Sequence, residues 1–461
     1  MKKIDMTKGP IVAPLFLFIL PLIGSSIFQQ LYNTVDFLFV GNLLDVTAAA
    51  AVGASSTLIT CCIGLFSGVS VGTSVIMSQA IGGQDLKKAK EGLHASVLFG
   101  LIGGIIVMVI GILLAPPILQ IMNTPETAME QAVAYMRIYL LSLPMLVFYN
   151  MVSGAMRSYG DSDTPFRILV ICGFVNVAAD YFFMRVIPLG VAGVGIATAI
   201  SQGLSAVLIY IAASNKNRLV PLTFNTFLAH GDVTLAEHLK IHWKVMKEIL
   251  RIGIPAGAQS VLITFSNVIV QYYINDFGEV AVAAFATYYK VENFIYLPIM
   301  AFGQAATTFA GQNFGAGQIS RIKKGTLITD LMGAAVVAAI AGVILLFPRT
   351  VFTWFMKDQD VVTNALIIAT LTFPFYWIYP ILEVTGGALR GMGYALSSMI
   401  IIISNLGALR IALLAIFSKT FHSLRALAAV YPISWAGAAI CFVVQFFIVM
   451  RMKSMEKAET S

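Results

Sequence analysis

Charge is what this chain has least of. Asp, Glu, Lys and Arg supply 11% of its 461 residues, against 58% hydrophobic residues and a mean hydropathy of +0.87. A soluble protein carries charge on about 25% of its residues, so water is excluded as the main solvent. Cysteines number four (Cys61, Cys62, Cys172, Cys441), all within apolar runs, where they read as small hydrophobes and exclude a disulfide framework. None of the five histidines is placed deep in an apolar run, and no HExxH pattern accompanies His238 and His242, so no metal site is expected. Gly68-Val69-Ser70-Val71-Gly72 matches GxSxG, but inside a helical run with no histidine in reach. It excludes a serine hydrolase and reads, with Gly64, as a small-residue packing face. The chain is therefore expected to be no enzyme and to need no cofactor beyond a transported ion. No small-residue cleavage site follows the basic N-terminus, so the first apolar run is expected to stay as a span.

What the chain has in abundance is long apolar runs. Twelve are expected to cross a bilayer, at about 12–38, 48–80, 93–115, 131–156, 164–186, 190–213, 250–275, 280–311, 325–347, 361–389, 395–417 and 424–450. Two motifs recur. Gly154-Ala155-Met156-Arg157-Ser158-Tyr159-Gly160 and Gly387-Ala388-Leu389-Arg390-Gly391-Met392-Gly393 share GAxRxxG, with the arginines 233 positions apart. Gln79-Ala80-Ile81-Gly82 and Gln312-Asn313-Phe314-Gly315 share QxxG at the same offset of 233, each followed by a basic cluster. The chain is a tandem duplication. The expected fold is an all-α membrane protein of twelve transmembrane helices in two six-helix lobes, 1–213 and 249–461, joined by a linker at 214–248. Six spans per half is an even number, so the halves enter from one side and are related by a pseudo-two-fold axis along the membrane normal.

Charge sets the expected orientation. Lys2, Lys3 and Lys8, Lys87, Lys88 and Lys90, Arg157 and Arg167, the linker cations, Arg321, Lys323 and Lys324, Arg390, and Arg451, Lys453 and Lys457 all fall on one side. Arg185, Arg349, Lys357, Lys419 and Arg425 fall on the other, so both termini are expected to be cytoplasmic, in a multi-pass protein of the cell membrane. The net charge of +7 needs no nucleic acid to explain it; a lipid-facing basic side suffices. The later part of the linker (Leu239, Trp243, Met246 and Leu250 against Lys240, Lys244 and Lys247) is amphipathic at helical spacing and expected on the inner leaflet.

Ionisable groups inside spans persist only with a reason. Asp36 lies about 36 Å along the first span from its cytoplasmic end, and Asp180 about 24 Å along the fifth. Asn176 precedes Asp180 by one turn on the same face, and Thr198 enters the sixth span at a similar depth. Four oxygen-bearing side chains thus converge on one level and can hold a proton or a sodium ion. The alternative is that they only hydrogen-bond neighbouring helices.

Leu31-Tyr32-Asn33-Thr34-Val35-Asp36, Gln79 with Gly82, the repeated GAxRxxG, Asn176-x3-Asp180 and Gln312-x2-Gly315 together resemble the multidrug and toxic compound extrusion (MATE) transporters, over essentially the whole chain. The similarity is to the DinF-like branch. It implies secondary active export of amphiphilic, often cationic compounds by antiport with protons or sodium, through two six-helix lobes. It also implies a coupling-ion site in the first lobe at Asp36, Asn176, Asp180 and Thr198, and a bending hinge at Pro21, whose missing N–H makes a kink cheap. One departure is evident: from Arg251 to Asn275 there is no Asp or Glu, so an acid-based cation site in the seventh span, as another branch carries, is not expected.

The second half carries Lys290, Glu292, Glu383 and Arg410 within spans. Lys290, Glu292 and Arg410 are at comparable depth, which suggests a charge-paired network, while Glu383 falls nearer the cytoplasm. The competing function is a flippase for lipid-linked oligosaccharide or polysaccharide precursors, whose pyrophosphate calls for several Lys or Arg in a central cavity; only Lys290 and Arg410 are candidates. Nothing resembles a channel's selectivity filter. Expected partners are small-molecule drugs or organic cations and membrane lipids, with the chain acting as a monomer.

Overall fold

The computed structural model describes residues 4–44, 46–222 and 235–459. Among them there are helices and no strand: α1 (Val12–Leu43), α2 (Val46–Gly82), α3 (Leu86–Ile121), α4 (Glu126–Leu141), α5 (Leu143–Ser158), α6 (Asp163–Tyr181), α7 (Val191–Ala213), α8 (Leu235–Asn275), α9 (Glu279–Gly315), α10 (Ile319–Leu346), α11 (Pro348–Thr353), α12 (Gln359–Thr372), α13 (Ile378–Gly391), α14 (Ala395–Ile402), α15 (Arg410–Phe421) and α16 (Leu424–Glu459). Lipid offers no hydrogen-bond partners, so a chain of this composition satisfies its backbone within helices. Ten helical stretches among the described residues are long and apolar enough to span a bilayer, and two bent pairs, α4 with α5 at 42° and α12 with α13 at 53°, bring the number to twelve. Each expected apolar run coincides with one of these spans.

The bends occupy matching places in the two halves and have one cause. Pro144 stands in the first turn of α5, and Pro374 in the 3-10 turn Phe373–Phe375 ahead of α13. Neither proline has an N–H to continue the preceding helix. Two further spans carry a wide π turn, Phe182–Val186 after α6 and Ile403–Leu409 before α15.

The chain divides into two compact units, one containing Leu20–Gly257 and the other joining Asp5–Ile19 to Ala258–Ser461. These bounds differ from the lobe limits expected at 213 and 249, because the opening stretch of α1 is counted with the second unit and that of α8 with the first. The linker helix is not a separate element. It runs without interruption into the seventh span as α8, 41 residues long. No proline or glycine occurs between Leu235 and Arg251 to stop it. His238, His242, Leu239 and Lys240 have side chains outside the described residues, as does residues 223–234 of the linker.

Glycine sets how closely the helices approach. In the first unit a Cβ on Gly68 would come within 2.1 Å of the Gly257 backbone, and one on Gly72 within 2.3 Å of the Ile249 carbonyl. Backbone contact between α2 and α8 is possible only without side chains there, as the small-residue reading of this stretch requires. The GAxRxxG motif is explained by the same geometry in both halves. Its first glycine packs α5 on α2, where a Gly154 Cβ would be 2.6 Å from Ser70 Oγ, and α13 on α9, where a Gly387 Cβ would be 2.4 Å from the Gly303 carbonyl. Its last glycine ends each helix in a left-handed conformation, at φ 85° for Gly160 and 96° for Gly393.

QxxG in the second half holds the N-terminus. The Met6 N–H donates to Gln312 Oε1 at 3.3 Å, and Asn313 Nδ2 donates to the Met6 carbonyl at 3.2 Å. Arg321 donates to the carbonyls of Met6 (3.1 Å), Gly9 (2.9 Å) and Lys8 (3.1 Å). Met6 is fully buried as a result.

Candidate functional site

In the first unit, Asp36 on α1 and Asp180 at the end of α6 lie close enough for their carboxyl groups to act on each other. Asp180 is fully buried and Asp36 half-buried. Among the described residues, no donor meets either Asp180 oxygen, Asp36 Oδ1 or the Asn176 side-chain oxygen. Four buried acceptors without a donor are far from the usual pattern, in which buried polar atoms are hydrogen-bonded. Two facing carboxylates cannot both stay ionised in an apolar interior without a positive charge between them. The donor set is chemically what a proton or a hard cation such as sodium requires.

Thr198 on α7 donates its hydroxyl to the Val194 carbonyl at 3.0 Å, leaving its lone pairs as acceptors. Val40, Met184 and Val194 lie four residues from Asp36, Asp180 and Thr198, and all three belong to one buried apolar cluster with Tyr135 of α4. The helix faces bearing the two acids and the threonine therefore turn toward a common core. Tyr135 and Tyr139 lie beside it, with rings 6.1 Å apart. Tyr135 escapes a reading based on charge alone, because a tyrosine in an apolar run has no distinctive spacing. Pro21 lies within α1 two residues after the division between the units, and the Ser25 hydroxyl donates to its carbonyl at 2.8 Å.

The second-half charges do not form one network. Glu383 pairs with Arg390 at 2.5 Å. Glu292 accepts from the phenols of Tyr288 (3.4 Å) and Tyr376. Arg410 is bound by Ser434 and lies over the Tyr431 ring at 4.9 Å. Lys290 is exposed and takes part in none of the ion pairs of the described residues. Residue counting puts Lys290, Glu292 and Arg410 at one depth but says nothing of rotation about each helix, which leaves Lys290 exposed while Glu292 and Arg410 line one cavity. Asp330 on α10 joins the intramembrane acids: Thr385 donates to its Oδ2 at 3.3 Å, and its Oδ1 has no donor among the described residues. Its signal in the sequence is simply an acid inside the ninth expected span.

Duplicated helices, twelve spans and a buried unpaired acid cluster define a multi-pass membrane protein of the carrier type. The MatE family model matches the chain twice, at residues 21–182 and 255–416, and the chain belongs to that family. Among curated proteins it is 28% identical to the probable multidrug resistance protein YpnP of Bacillus subtilis, over 91% of each chain. It is 24% identical to the multidrug export protein MepA of Staphylococcus aureus, over 90% of this chain and 89% of that one. The fold matches the outward-facing conformation of a multidrug resistance MATE family transporter of the MOP superfamily with a TM-score of 0.90, at 22% identity and over 99% of both chains.

Proposed function

We propose that this protein exports chemically varied amphiphilic, often cationic compounds by antiport, with the Asp36–Asp180 pair as the group whose charge changes in each cycle. The observation that carries this reading is the pair itself: the buried Asp180 beside the half-buried Asp36, with three of their four carboxyl oxygens meeting no donor among the described residues. Binding a proton or sodium ion from outside removes the repulsion between them and lets α1 repack, with Pro21 as the pliable point. Asn176 and Thr198 supply further oxygens to the bound ion. Cargo is then released outward, and loss of the ion inward resets the pair.

The energetics suffice. One charge moving inward through 100 mV releases about 2.3 kcal/mol, which sustains a gradient of roughly 50-fold for a neutral substrate. A lipid-linked pyrophosphate is disfavoured, since Lys290 is exposed and Arg410 shares its surroundings with Glu292. The protein is expected in the cell membrane as a monomer with both termini cytoplasmic, on the distribution of its Lys and Arg. Drug efflux from inverted vesicles, with proton and sodium gradients imposed separately, tests the reading. One gradient should drive efflux in the native protein and neither in Asp36→Asn or Asp180→Asn; ion-driven efflux unchanged in both variants would overturn it.

A further inference from the structure

Asp330 lies 11 residues after Ile319, the first residue of α10, which is about 16 Å along the helix and inside the apolar part of the span. An acid at that depth persists only with a partner or a function. Yet Asp330 takes part in none of the ion pairs of the described residues. α10 packs against α9, α13 and α16, and the cations on and around it are engaged elsewhere. Arg390 closes on Glu383, and Arg321 is held by the carbonyls of Met6, Lys8 and Gly9. Lys323 lies over the Phe447 ring at 5.9 Å, and Lys453 pairs with Glu456.

The hydroxyls near this carboxyl group are unusual too. A threonine inside a helix commonly turns its hydroxyl onto the carbonyl four residues back. Thr329 does so to Gly325 at 2.8 Å, Thr307 to Gly303 at 2.9 Å and Thr372 to Ile368 at 3.0 Å. Thr326, one turn before Asp330 on the same face of α10, is 3% exposed, and its Oγ1 meets no partner among the described residues. Side chains on a helix lean toward its N-terminus, so the Asp330 carboxyl leans over the turn that carries Thr326. Asp330 Oδ1 also lacks a donor among the described residues. Thr385 of α13, 2% exposed, donates to Oδ2 at 3.3 Å and keeps its own lone pairs as acceptors.

Buried polar atoms rarely go unmatched, so two of them one turn apart, beside a carboxyl group with no counter-charge, mark a place for a ligand. A water molecule would satisfy the oxygens and leave the charge unbalanced. A proton would remove the charge and bring no acceptor for the Thr326 hydroxyl. A divalent ion would carry twice the charge that one carboxylate offsets. One small monovalent cation balances the charge and takes lone pairs from all three side chains. We propose that Asp330, Thr326 and Thr385 bind a sodium ion that ties α10 to α13 within the second unit. No group of this site lies on the seventh span, and none belongs to the acid pair of the first unit. The ion cancels a charge buried in apolar surroundings and bridges the hydroxyls of two neighbouring helices.

Equilibrium binding of radiolabelled sodium to the purified full chain in detergent micelles, with choline chloride as the ionic background, tests this. The Asp36→Asn, Asp180→Asn double variant is used so that the first-unit acids contribute nothing to the count, and the outcome stands apart from the role given to them. That chain should bind one sodium ion, and its unfolding midpoint should rise with sodium concentration and much less with potassium. Adding Asp330→Asn should remove both effects. Thr326→Val, which keeps the shape and deletes the oxygen, should weaken sodium binding several-fold, and Thr326→Ser should restore most of it. Should Asp330→Asn fail to fold, the two Thr326 variants carry the test; should the double variant fail, Asp330→Asn in the native chain should lower bound sodium by one ion. No bound sodium, stabilisation by potassium equal to that by sodium, or sodium binding untouched by Asp330→Asn or Thr326→Val would overturn the assignment.

Discussion

Arg390 and Glu383 stand seven residues apart on α13 and meet at 2.5 Å, with each side chain 10% exposed. The duplicated Arg157 has no such partner. Among the described residues it reaches only Ser70 Oγ, at 3.5 Å, and Asn150 occupies the position corresponding to Glu383. Removing one member of a buried pair leaves the other charge uncompensated, at a cost of about 3–5 kcal/mol. Glu383→Gln should therefore lower the thermal unfolding midpoint of the purified protein by several degrees. Arg157→Gln should lower it much less, and Glu383→Gln combined with Arg390→Gln should recover part of the loss. Equal shifts for the two arginine-linked sites would argue against an asymmetric role.

Helix contact through glycine makes a second, opposite pair of expectations. A side chain at Gly68 must displace the Gly257 backbone of α8, so Gly68→Val should reduce folded yield sharply; overpacking costs about 1–3 kcal/mol even where side chains can adjust. Gly342 on α10 has nothing within 4 Å of its missing Cβ, so Gly342→Ala should be neutral or slightly stabilising. Size-exclusion profiles from matched membrane preparations compare the two directly.

Arg321 makes three of the hydrogen bonds that hold residues 6 to 9 in place. Arg321→Ala leaves three carbonyls without those donors. The expected result is faster trypsin cleavage after the exposed Lys8 and faster amide exchange over the segment, with exchange in α3 unchanged. An unaltered cleavage rate would mean that Gln312 and Asn313 suffice.

Neutralising one acid of the first unit should separate stability from activity. Like charges at close range oppose folding, so Asp36→Asn or Asp180→Asn should leave the unfolding midpoint equal or higher while gradient-driven efflux is lost. A fall in midpoint matching the loss of transport would point instead to a packing role.

Much of this architecture is legible from single stretches of sequence. The GAxRxxG and QxxG repeats give away the duplication, and their glycines turn out to serve close helix approach and left-handed helix ends at Gly160 and Gly393. The bends at Pro144 and Pro374 follow from residues visible in the sequence, although the angles of 42° and 53° do not. Asp36, Asn176 and Asp180 stand out as polar groups in apolar runs. Asp330 has the same signature, whereas Tyr135 has none.

Membrane residence, twelve helical spans and the internal repeat are consequences of local composition, because an apolar run of about 20 residues in lipid must close its backbone hydrogen bonds on itself whatever surrounds it. Which charges meet is a different kind of fact. Residue number sets depth along a helix, but rotation about the axis and the identity of the neighbouring helix come only from packing. Packing alone brings Asp36 to Asp180, closes Glu383 on Arg390 and sets Glu292 and Arg410 in the lining of one cavity.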